Sequence, residues 1–322
     1  DAALLRLAAP GLPPSERGLA LTTDSKPAWC SLDPRTGTAA TVAESVLNLA
    51  CVGARAVAVV NCLNFGNPEH AEVMWQLSES VDGMAEACLA LGTPVVGGNV
   101  SLYNESGGRD IDPTPVIGAL GLVDRLVAAP PGTGLVTGST LVLLDGQRAP
   151  RRAPLALAGS RWAVECRAHR NGTPPALDLD AHLRLVELVR DLVSMAVAGG
   201  EGIVDAVHDV SGGGLAVCVA EMVVAAGAGC RIAGVADHRQ LFTEAPSRVV
   251  VATTRPDELV ARARVAAVDA LVLGEATGDR LVVEGLVDLS VAEVRAAFES
   301  RLPRLLDELA PAVADDLSTG AR

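Results

Sequence analysis

The stretch that decides the fold is residues 61–104, NCLNFGNPEHAEVMWQLSESVDGMAEACLALGTPVVGGNVSLYN. Each end of it follows a short apolar run (56–60 and 94–96) that predicts a β-strand. Between the ends, apolar residues recur at spacings of three and four, which predicts one long helix over 69–91. Both strands are expected to stop at loops rich in Asn and Gly. Side-chain amides and free backbone N–H groups would then lie close together, as suits a polar, phosphorylated ligand.

Composition limits the classes of protein to consider. The chain has 322 residues, a net charge of -13 and only 2% aromatic residues, which argues against nucleic-acid binding. No apolar run reaches the roughly 18 residues of a membrane span, and no signal peptide is recognisable. The seven cysteines are dispersed, as in a reduced cytoplasmic protein, and Cys62 is expected to be a packing residue rather than a nucleophile. The first residue is Asp, so we expect a fragment or a processed chain.

The order of predicted elements indicates two domains. Residues 1–18 form a lead-in segment, and 19–126 alternate strands and helices as in a mixed-sheet α+β domain. A Pro- and Gly-rich linker leads to a second, layered α/β domain over 133–287. A terminal helix and tail occupy 291–322, and the last dozen residues are expected to fray.

A second glycine-rich segment, HDVSGGGL at 208–215, separates a predicted strand from a predicted helix. Such a turn presents N–H groups to an anion, although its spacing is neither that of a Walker A loop nor that of a dinucleotide fingerprint. The alternative is a tight turn capped by Asp209 or Ser211. His208 is either a general base or half of a structural hydrogen-bonded pair.

Four asparagines around the first stretch call for an explanation, since Asn is unfavourable at strand ends unless its amide is used. Asx turns account for part of the set. Asn99 can offer its carbonyl oxygen to Mg²⁺, and Gly98 lets a nucleotide approach the backbone. Four acids could add Mg²⁺ ligands, although no pattern shows that they converge and a solvated carboxylate is the default for each. The asparagines are Asn64, Asn67, Asn99 and Asn104, and the acids are Asp24, Asp33, Asp110 and Asp112.

Read together, these motifs resemble the synthetase subunit of phosphoribosylformylglycinamidine synthase, also called formylglycinamide ribonucleotide amidotransferase. The specific block is NCLNFGNPE (61–69) with PVVGGNVSLYNE (94–105), and HDVS (208–211) is shared with the wider aminoimidazole ribonucleotide (AIR) synthase-like superfamily. The resemblance covers about residues 17–306. It implies a two-domain AIR synthase-like unit of α+β class. In that family the unit is duplicated in tandem, and this chain resembles the second copy.

The activity that the resemblance implies is an ATP-dependent ligase step of purine biosynthesis in the cytoplasm. ATP, with Mg²⁺, phosphorylates the formyl-amide oxygen of formylglycinamide ribonucleotide, and ammonia then displaces phosphate to give the amidine. The implied partners are a glutaminase subunit that supplies the ammonia, a small bridging subunit and the N-terminal tandem half. The proton-accepting histidines belong to that other half, so no catalytic residue is expected in this one.

The family's ATP contacts fall on Asn61 and Gly98, its Mg²⁺ ligand on Asn99 and a substrate contact on Ser101. The family commonly has Asp where this chain has Asn61, which removes a negative charge. It also usually has an acid where this chain has Gly212. Two alternatives stay open: a non-catalytic nucleotide-binding scaffold half, and a self-sufficient AIR synthase-like enzyme, against which the block at 61–105 argues.

Overall fold

The chain folds as two α+β domains, each built on one mixed sheet. This computed structural model describes residues 1–319 apart from 9, 12, 14 and 148–155, with side chains up to residue 307. The Arg- and Pro-rich segment 146–158 is expected from its sequence to be a loop, and most of it lies outside the described residues. No described helix combines the length and the apolar character that a membrane crossing requires.

The first domain holds a five-stranded sheet with its helices on one side. Its elements are β1 (Ala3–Arg6), β2 (Gly18–Asp24), α1 (Pro27–Cys30), α2 (Pro34–Cys51), β3 (Arg55–Asn64), α3 (Ala71–Leu91), β4 (Val95–Ser101), β5 (Glu105–Ser106), β6 (Arg109–Asp110) and β7 (Thr114–Val123). The sheet order is β1-β2-β7-β3-β4, and among these described strands only the pair β3 and β4 is parallel. Strand β4 therefore lies at an edge.

The second domain holds a seven-stranded sheet in the order β14-β13-β10-β12-β8-β11-β9. Its elements are β8 (Thr140–Asp145), α4 (Arg161–Arg167), α5 (Leu179–Val197), β9 (Ala206–Asp209), α6 (Gly214–Ala226), β10 (Cys230–Ile232), α7 (His238–Phe242), β11 (Arg248–Thr253), α8 (Pro256–Val265), β12 (Asp269–Ala276), β13 (Arg280–Val283), β14 (Val287–Ser290) and α9 (Val291–Thr319). Among its described strand pairs, only β10 and β13 run parallel. The mixed sheets confirm the predicted fold class.

Several predicted boundaries are wrong. The expected lead-in segment contributes β1, which pairs with β2 because neighbouring backbone supplies the hydrogen bonds that a short segment cannot make by itself. Helix α2 begins at Pro34, where Asp33 caps it by accepting from the Thr36 N–H at 3.0 Å; apolar spacing in the sequence indicates a helix only from residue 41. Helix α9 continues to Thr319, where fraying was expected from about 311. The short elements α4, α7 and β14 were not predicted.

Helix α2 joins the two domains. It is buried on nearly all sides, and one hydrophobic cluster runs from its Val42 and Leu49 to Leu185 and Val193 of α5 in the second domain. A polar bond crosses the same junction: the His182 imidazole on α5 donates from Nε2 to the Ala43 carbonyl at 2.9 Å. The domains therefore share a core instead of hanging on the linker between β7 and β8.

Candidate functional site

The Asn- and Gly-rich residues predicted to form loops lie instead inside strands β3 and β4. In the parallel register, Asn61 is opposite Gly98, Cys62 opposite Asn99, and Asn64 opposite Ser101. Strand β3 pairs with β4 on one side and β7 on the other. This pairing satisfies its backbone and overrides the low strand propensity of Asn and Gly.

On the face of the sheet that packs against the helices, the Asn61 side chain fills the space beside Gly98. A Cβ added at Gly98 would lie 2.0 Å from Asn61 Oδ1, so position 98 has room for glycine only while Asn61 stays in place. The other end of the amide donates to the Met84 sulfur of α3 at 3.4 Å. The space expected for a nucleotide beside the Gly98 backbone is therefore taken on this face by the Asn61 side chain.

Asn99 and Ser101 point to the opposite face, because successive residues of a strand alternate. Asn99 is exposed and makes one weak contact, from its amide nitrogen to Cys62 Sγ at 3.7 Å. Ser101 lies 3.1 Å from the Asn104 amide nitrogen. The structure thus brings the four predicted ligand contacts to one sheet edge but divides them into two pairs, one on each face.

The remaining asparagines have structural partners. Asn64 donates to the Thr114 carbonyl, and Asn104 donates to the Phe65 carbonyl at 3.0 Å. Asn67 forms the expected Asx turn by accepting from the Glu69 N–H at 2.9 Å. Of the four asparagines singled out in the sequence, Asn99 is the one whose side-chain oxygen has no partner among the described residues.

The four candidate acids do not converge. Asp24 is bound by Ser45 and Asn48 of α2 at 2.7 and 2.9 Å. Asp33 is the helix cap already described. The other two lie near the β5–β6 hairpin: Asp110 accepts from the Asn67 N–H and contacts His70, each at 2.7 Å, and Asp112 pairs with Arg170 at 2.7 Å. Each carboxylate thus has a local partner, and none is hydrogen-bonded to the described residues of β4.

A magnesium ion would find only part of its ligand set at this edge. Asn99 offers one neutral oxygen, which suits a hard cation that keeps several waters and also binds phosphate oxygens. No described carboxylate is hydrogen-bonded to the Asn99 side chain. The donor set thus fits Mg²⁺ only if phosphates and another chain segment complete the coordination.

The glycine-rich turn at 208–215 is occupied by a side chain of the same chain. The N–H groups of Gly213 and Arg161, at the starts of α6 and α4, both donate to Glu244 Oε1, at 2.8 and 2.6 Å. Glu244 is 6% exposed. The anion expected at this turn is therefore a buried carboxylate, which satisfies two helix starts at once.

His208 is bonded at both ring nitrogens. Nδ1 lies 2.6 Å from Asp1 Oδ1, and Nε2 lies 2.9 Å from Glu221 Oε2. Ligand atoms of Asp1, His208 and Asp209 all lie within 4.8 Å of one another, the one such group found in the described part of the chain. Since both nitrogens are engaged, the contacts favour the structural pair over the general base.

Sequence reasoning missed Lys26 and Glu44, whose side chains meet between the domains with Nζ 2.5 Å from Oε2. The Ser-Lys-Pro segment around Lys26 is typical of a surface turn, and burial there depends on distant residues. One compositional signal existed: Lys26 is the only lysine among the 26 basic residues of the chain.

The face of the first sheet that carries Asn99 is open. It exposes apolar side chains, with Val60 46%, Leu21 43% and Val96 66% exposed, around a shallow groove of about 540 Å³. The opposite face is closed by α2 and α3, and Ile117 of β7 is fully buried there. Apolar sheet faces of this kind usually pack against another layer.

Comparisons with known proteins give consistent matches. The family models described as AIR synthase related protein, N-terminal domain and C-terminal domain, match residues 1–123 and 137–285. The phosphoribosylformylglycinamidine synthase subunit PurL of Granulibacter bethesdensis is 42% identical over 306 residues, covering 95% of this chain and 40% of the relative. That of Thermobifida fusca is 41% identical over 312 residues, covering 95% and 39%. The chain thus spans about 40% of the length of these relatives.

Solved structures show the same fold at low identity. T. maritima PurL complexed with FGAR superposes with a TM-score of 0.71 at 18% identity, covering 92% of this chain and 48% of that one. A structure of PurLQS from Thermotoga maritima gives a TM-score of 0.64 at 18% identity, covering 87% and 45%. At such identities the likeness concerns the fold alone.

Proposed function

This chain belongs to the AIR synthase related protein family, and we propose that it is the C-terminal half of an ATP-dependent phosphoribosylformylglycinamidine synthase. In this proposal the edge at β4 forms one wall of the active site. The observation that carries it is the parallel pairing that sets Asn61 beside Gly98 and Asn99 beside Cys62 at an exposed edge. The curated relatives named PurL, about 40% identical over nearly the whole chain, support the choice of reaction.

The proposed reaction joins nitrogen to carbon at the expense of ATP. ATP phosphorylates the formyl-amide oxygen of formylglycinamide ribonucleotide, ammonia attacks the activated carbon, and phosphate leaves. Solved T. maritima PurL complexes with ATP and with FGAR support these two ligands. In this half Asn99 would give an oxygen to Mg²⁺ and Ser101 would donate to the substrate on the open face of the sheet. The assigned ATP contacts, Asn61 and Gly98, lie on the other face, so ATP would have to reach them across the β4 edge. These groups orient the reactants, and the developing phosphoryl charge needs cations from elsewhere.

The site needs another half to be complete. The wall contains neutral amides and a hydroxyl, without a described carboxylate or histidine that is free to act. The open apolar face beside Asn99 is suited to pack against the sheet of the N-terminal tandem half, which would bring the missing groups to the same edge. We also propose a glutaminase subunit and a small bridging subunit as partners, and the T. maritima PurLQS structure supports further subunits. A cytoplasmic location follows from this pathway.

The roles of Asn99 and Ser101 can be tested in the full-length protein. We expect Asn99→Ala to lower kcat at least about 100-fold while the melting temperature stays nearly unchanged, since Asn99 makes only one weak internal contact. Ser101→Ala should lower kcat by a similar factor with a modest loss of stability, because its hydroxyl is hydrogen-bonded to the Asn104 side chain. Steady-state amidine formation and thermal unfolding measure the two effects.

Asn67→Ala is a matched control, because it removes an equivalent amide whose described side-chain bond is the local Asx turn. It should lower stability more than turnover. If Asn99→Ala and Ser101→Ala leave kcat unchanged, the wall is not catalytic and the scaffold alternative is correct. If this chain by itself forms amidine, the self-sufficient alternative is correct.

A further inference from the structure

Two residues of β3 lie beside Asn99 on the open face of the first sheet. Cys62 is directly opposite Asn99 in the parallel register, and Asn64 is opposite Ser101. Five of the seven cysteines of the chain are buried, whereas Cys62 is only half-buried. A cysteine that only fills space is expected in the core, so the position of Cys62 on this face indicates a different role.

The side chains of Asn64, Cys62 and Asn99 form a row of hydrogen bonds that begins at the backbone. Asn64 donates from its amide nitrogen to the carbonyls of Thr114 and Cys62, each at 3.1 Å. Because both bonds would be lost if this amide reversed, its oxygen Oδ1 is held toward the Cys62 thiol, which donates to it at 3.7 Å. The sulfur in turn accepts from the Asn99 amide nitrogen at 3.7 Å. Each bond thus fixes the direction of the next one.

The row determines which end of the Asn99 amide faces outward. Since the thiol proton is directed to Asn64, the sulfur offers only lone pairs to Asn99. A reversed amide would set the Asn99 oxygen against those lone pairs. The nitrogen therefore faces the sulfur, and the oxygen is left without a partner among the described residues. Hydrogen bonds to sulfur are weak, so the row selects an orientation and adds little to the stability of the chain.

An oriented oxygen is what a metal ligand requires. In metal sites of proteins, a hydrogen bond to the far end of a ligand side chain commonly fixes its orientation, and removing that bond weakens metal binding about 10–100-fold. Here a thiol takes that position beside Asn99, and its weaker bonds predict a smaller effect. Both side chains bonded to the sulfur are neutral amides, which do not activate a thiol as a nucleophile.

We infer that Cys62 is a positioning residue: its thiol, held by Asn64, orients the Asn99 amide so that the carbonyl oxygen faces the open side of the sheet. This oxygen is then in place before a cation arrives, and binding requires no reorientation of the amide. The inference rests on the proposed function for the identity of the cation, Mg²⁺ with ATP. The row of hydrogen bonds stands on the geometry of β3 and β4 alone.

The orientation of the amide can be measured on this chain without metal or substrate. With ¹⁵N-labelled asparagine, we expect nuclear Overhauser contacts between the side-chain amide protons of Asn99 and the Hβ protons of Cys62. In Asn64→Ala the thiol loses its acceptor and can donate to Asn99 instead, so these contacts should weaken about twofold or more. Absence of the contacts in the wild type would show that the nitrogen faces outward and would overturn the inference.

The effect on the cation is tested in the full-length protein through the Mg²⁺ concentration that gives half the maximal rate. Cys62→Val removes the donor and the acceptor, and we expect it to raise that concentration about 3–10-fold while kcat at saturating Mg²⁺ stays within about twofold. Cys62→Ser keeps a donor and an acceptor and should raise it less. The control is Cys230→Val, the same substitution in β10 of the second domain, which should leave the Mg²⁺ dependence unchanged.

The outcomes distinguish this inference from the proposed function. If Cys62→Val leaves the Mg²⁺ dependence unchanged, or if Cys62→Ser shifts it by as much as Cys62→Val, the thiol does not position Asn99. Should Asn99→Ala still lower kcat in that case, the proposed function stands and only the inference fails. If Asn99→Ala changes neither kcat nor the Mg²⁺ dependence, Asn99 is not a metal ligand and both fail.

Discussion

Two regions of this protein contain polar residues of the kind found in active sites, and they differ in one respect. At the edge of the first sheet, Asn99 is exposed and its side-chain oxygen has no partner among the described residues. At the interdomain junction, Lys26, Asp209 and Glu244 are buried and have partners from the same chain. The comparison shows that charge and burial alone do not mark a ligand site. An unused donor or acceptor at an accessible edge is the better indication.

The junction should respond strongly to pH through His182. Its Nδ1 lies 2.7 Å from the Ser247 hydroxyl, and burial lowers its pKa from 6.5 to about 4. Between pH 4 and 6.5 the His182 imidazole is protonated in the unfolded chain and stays neutral in the folded chain. The free energy of unfolding should therefore fall by roughly 3 kcal/mol as pH drops from about 6.5 to 4. Denaturant titrations across this range measure it, and in His182→Gln this contribution should vanish.

Asp209 should have the opposite effect on the pH dependence of stability and therefore serves as a control for His182. Its pKa is raised from 3.8 to about 6, so in this range the folded chain binds a proton that the unfolded chain has lost. Its contribution makes the free energy of unfolding fall as pH rises from about 4 to 6. Asp209→Asn should remove that slope and leave a steeper loss of stability on acidification. Identical pH profiles for the wild type and both variants would contradict the assigned burial.

Gly97 and Gly98 test whether the Asn61 side chain fills the space at the β4 edge. A Cβ at Gly98 would lie 2.0 Å from Asn61 Oδ1, whereas one at Gly97 would lie 3.9 Å from its nearest neighbour, Val60 Cγ1. We expect Gly98→Ala to cost about 1–3 kcal/mol and to displace Asn61, weakening ATP binding at least about tenfold in the full-length protein. Gly97→Ala should leave the stability of this chain unchanged or slightly higher. Calorimetry measures the change in stability of both variants. Equal changes in stability would show that Asn61 does not fill the space at Gly98.

Asn99 should give the smallest change in stability. Its side chain is exposed and bonded only to a sulfur at 3.7 Å, so Asn99→Ala should alter the free energy of unfolding of this chain by less than about 0.5 kcal/mol. A larger loss in a denaturant titration would place Asn99 with the structural asparagines and remove the distinction between the two regions.

The sequence predicted the fold class better than it predicted local boundaries. Apolar periodicity located α3, since that helix buries one face along its length. The same pattern predicted that β3 ends before Asn61, because Asn and Gly are weak strand formers. In the structure β3 continues past Asn61, since it pairs with two neighbouring strands, a tertiary effect that local propensity does not capture. The burial of Lys26 and the capping role of Glu244 were not predictable, since both depend on residues far apart in the chain that meet only in the folded domains.

The central claim is that this chain supplies one wall of an active site and needs a second half. The most direct test is to incubate the purified chain with ATP, Mg²⁺, ammonia and formylglycinamide ribonucleotide, with and without the N-terminal half. We predict no amidine above background from this chain alone, and amidine formation once the other half is present. Amidine formed by this chain alone at rates comparable to the full-length enzyme would contradict the account.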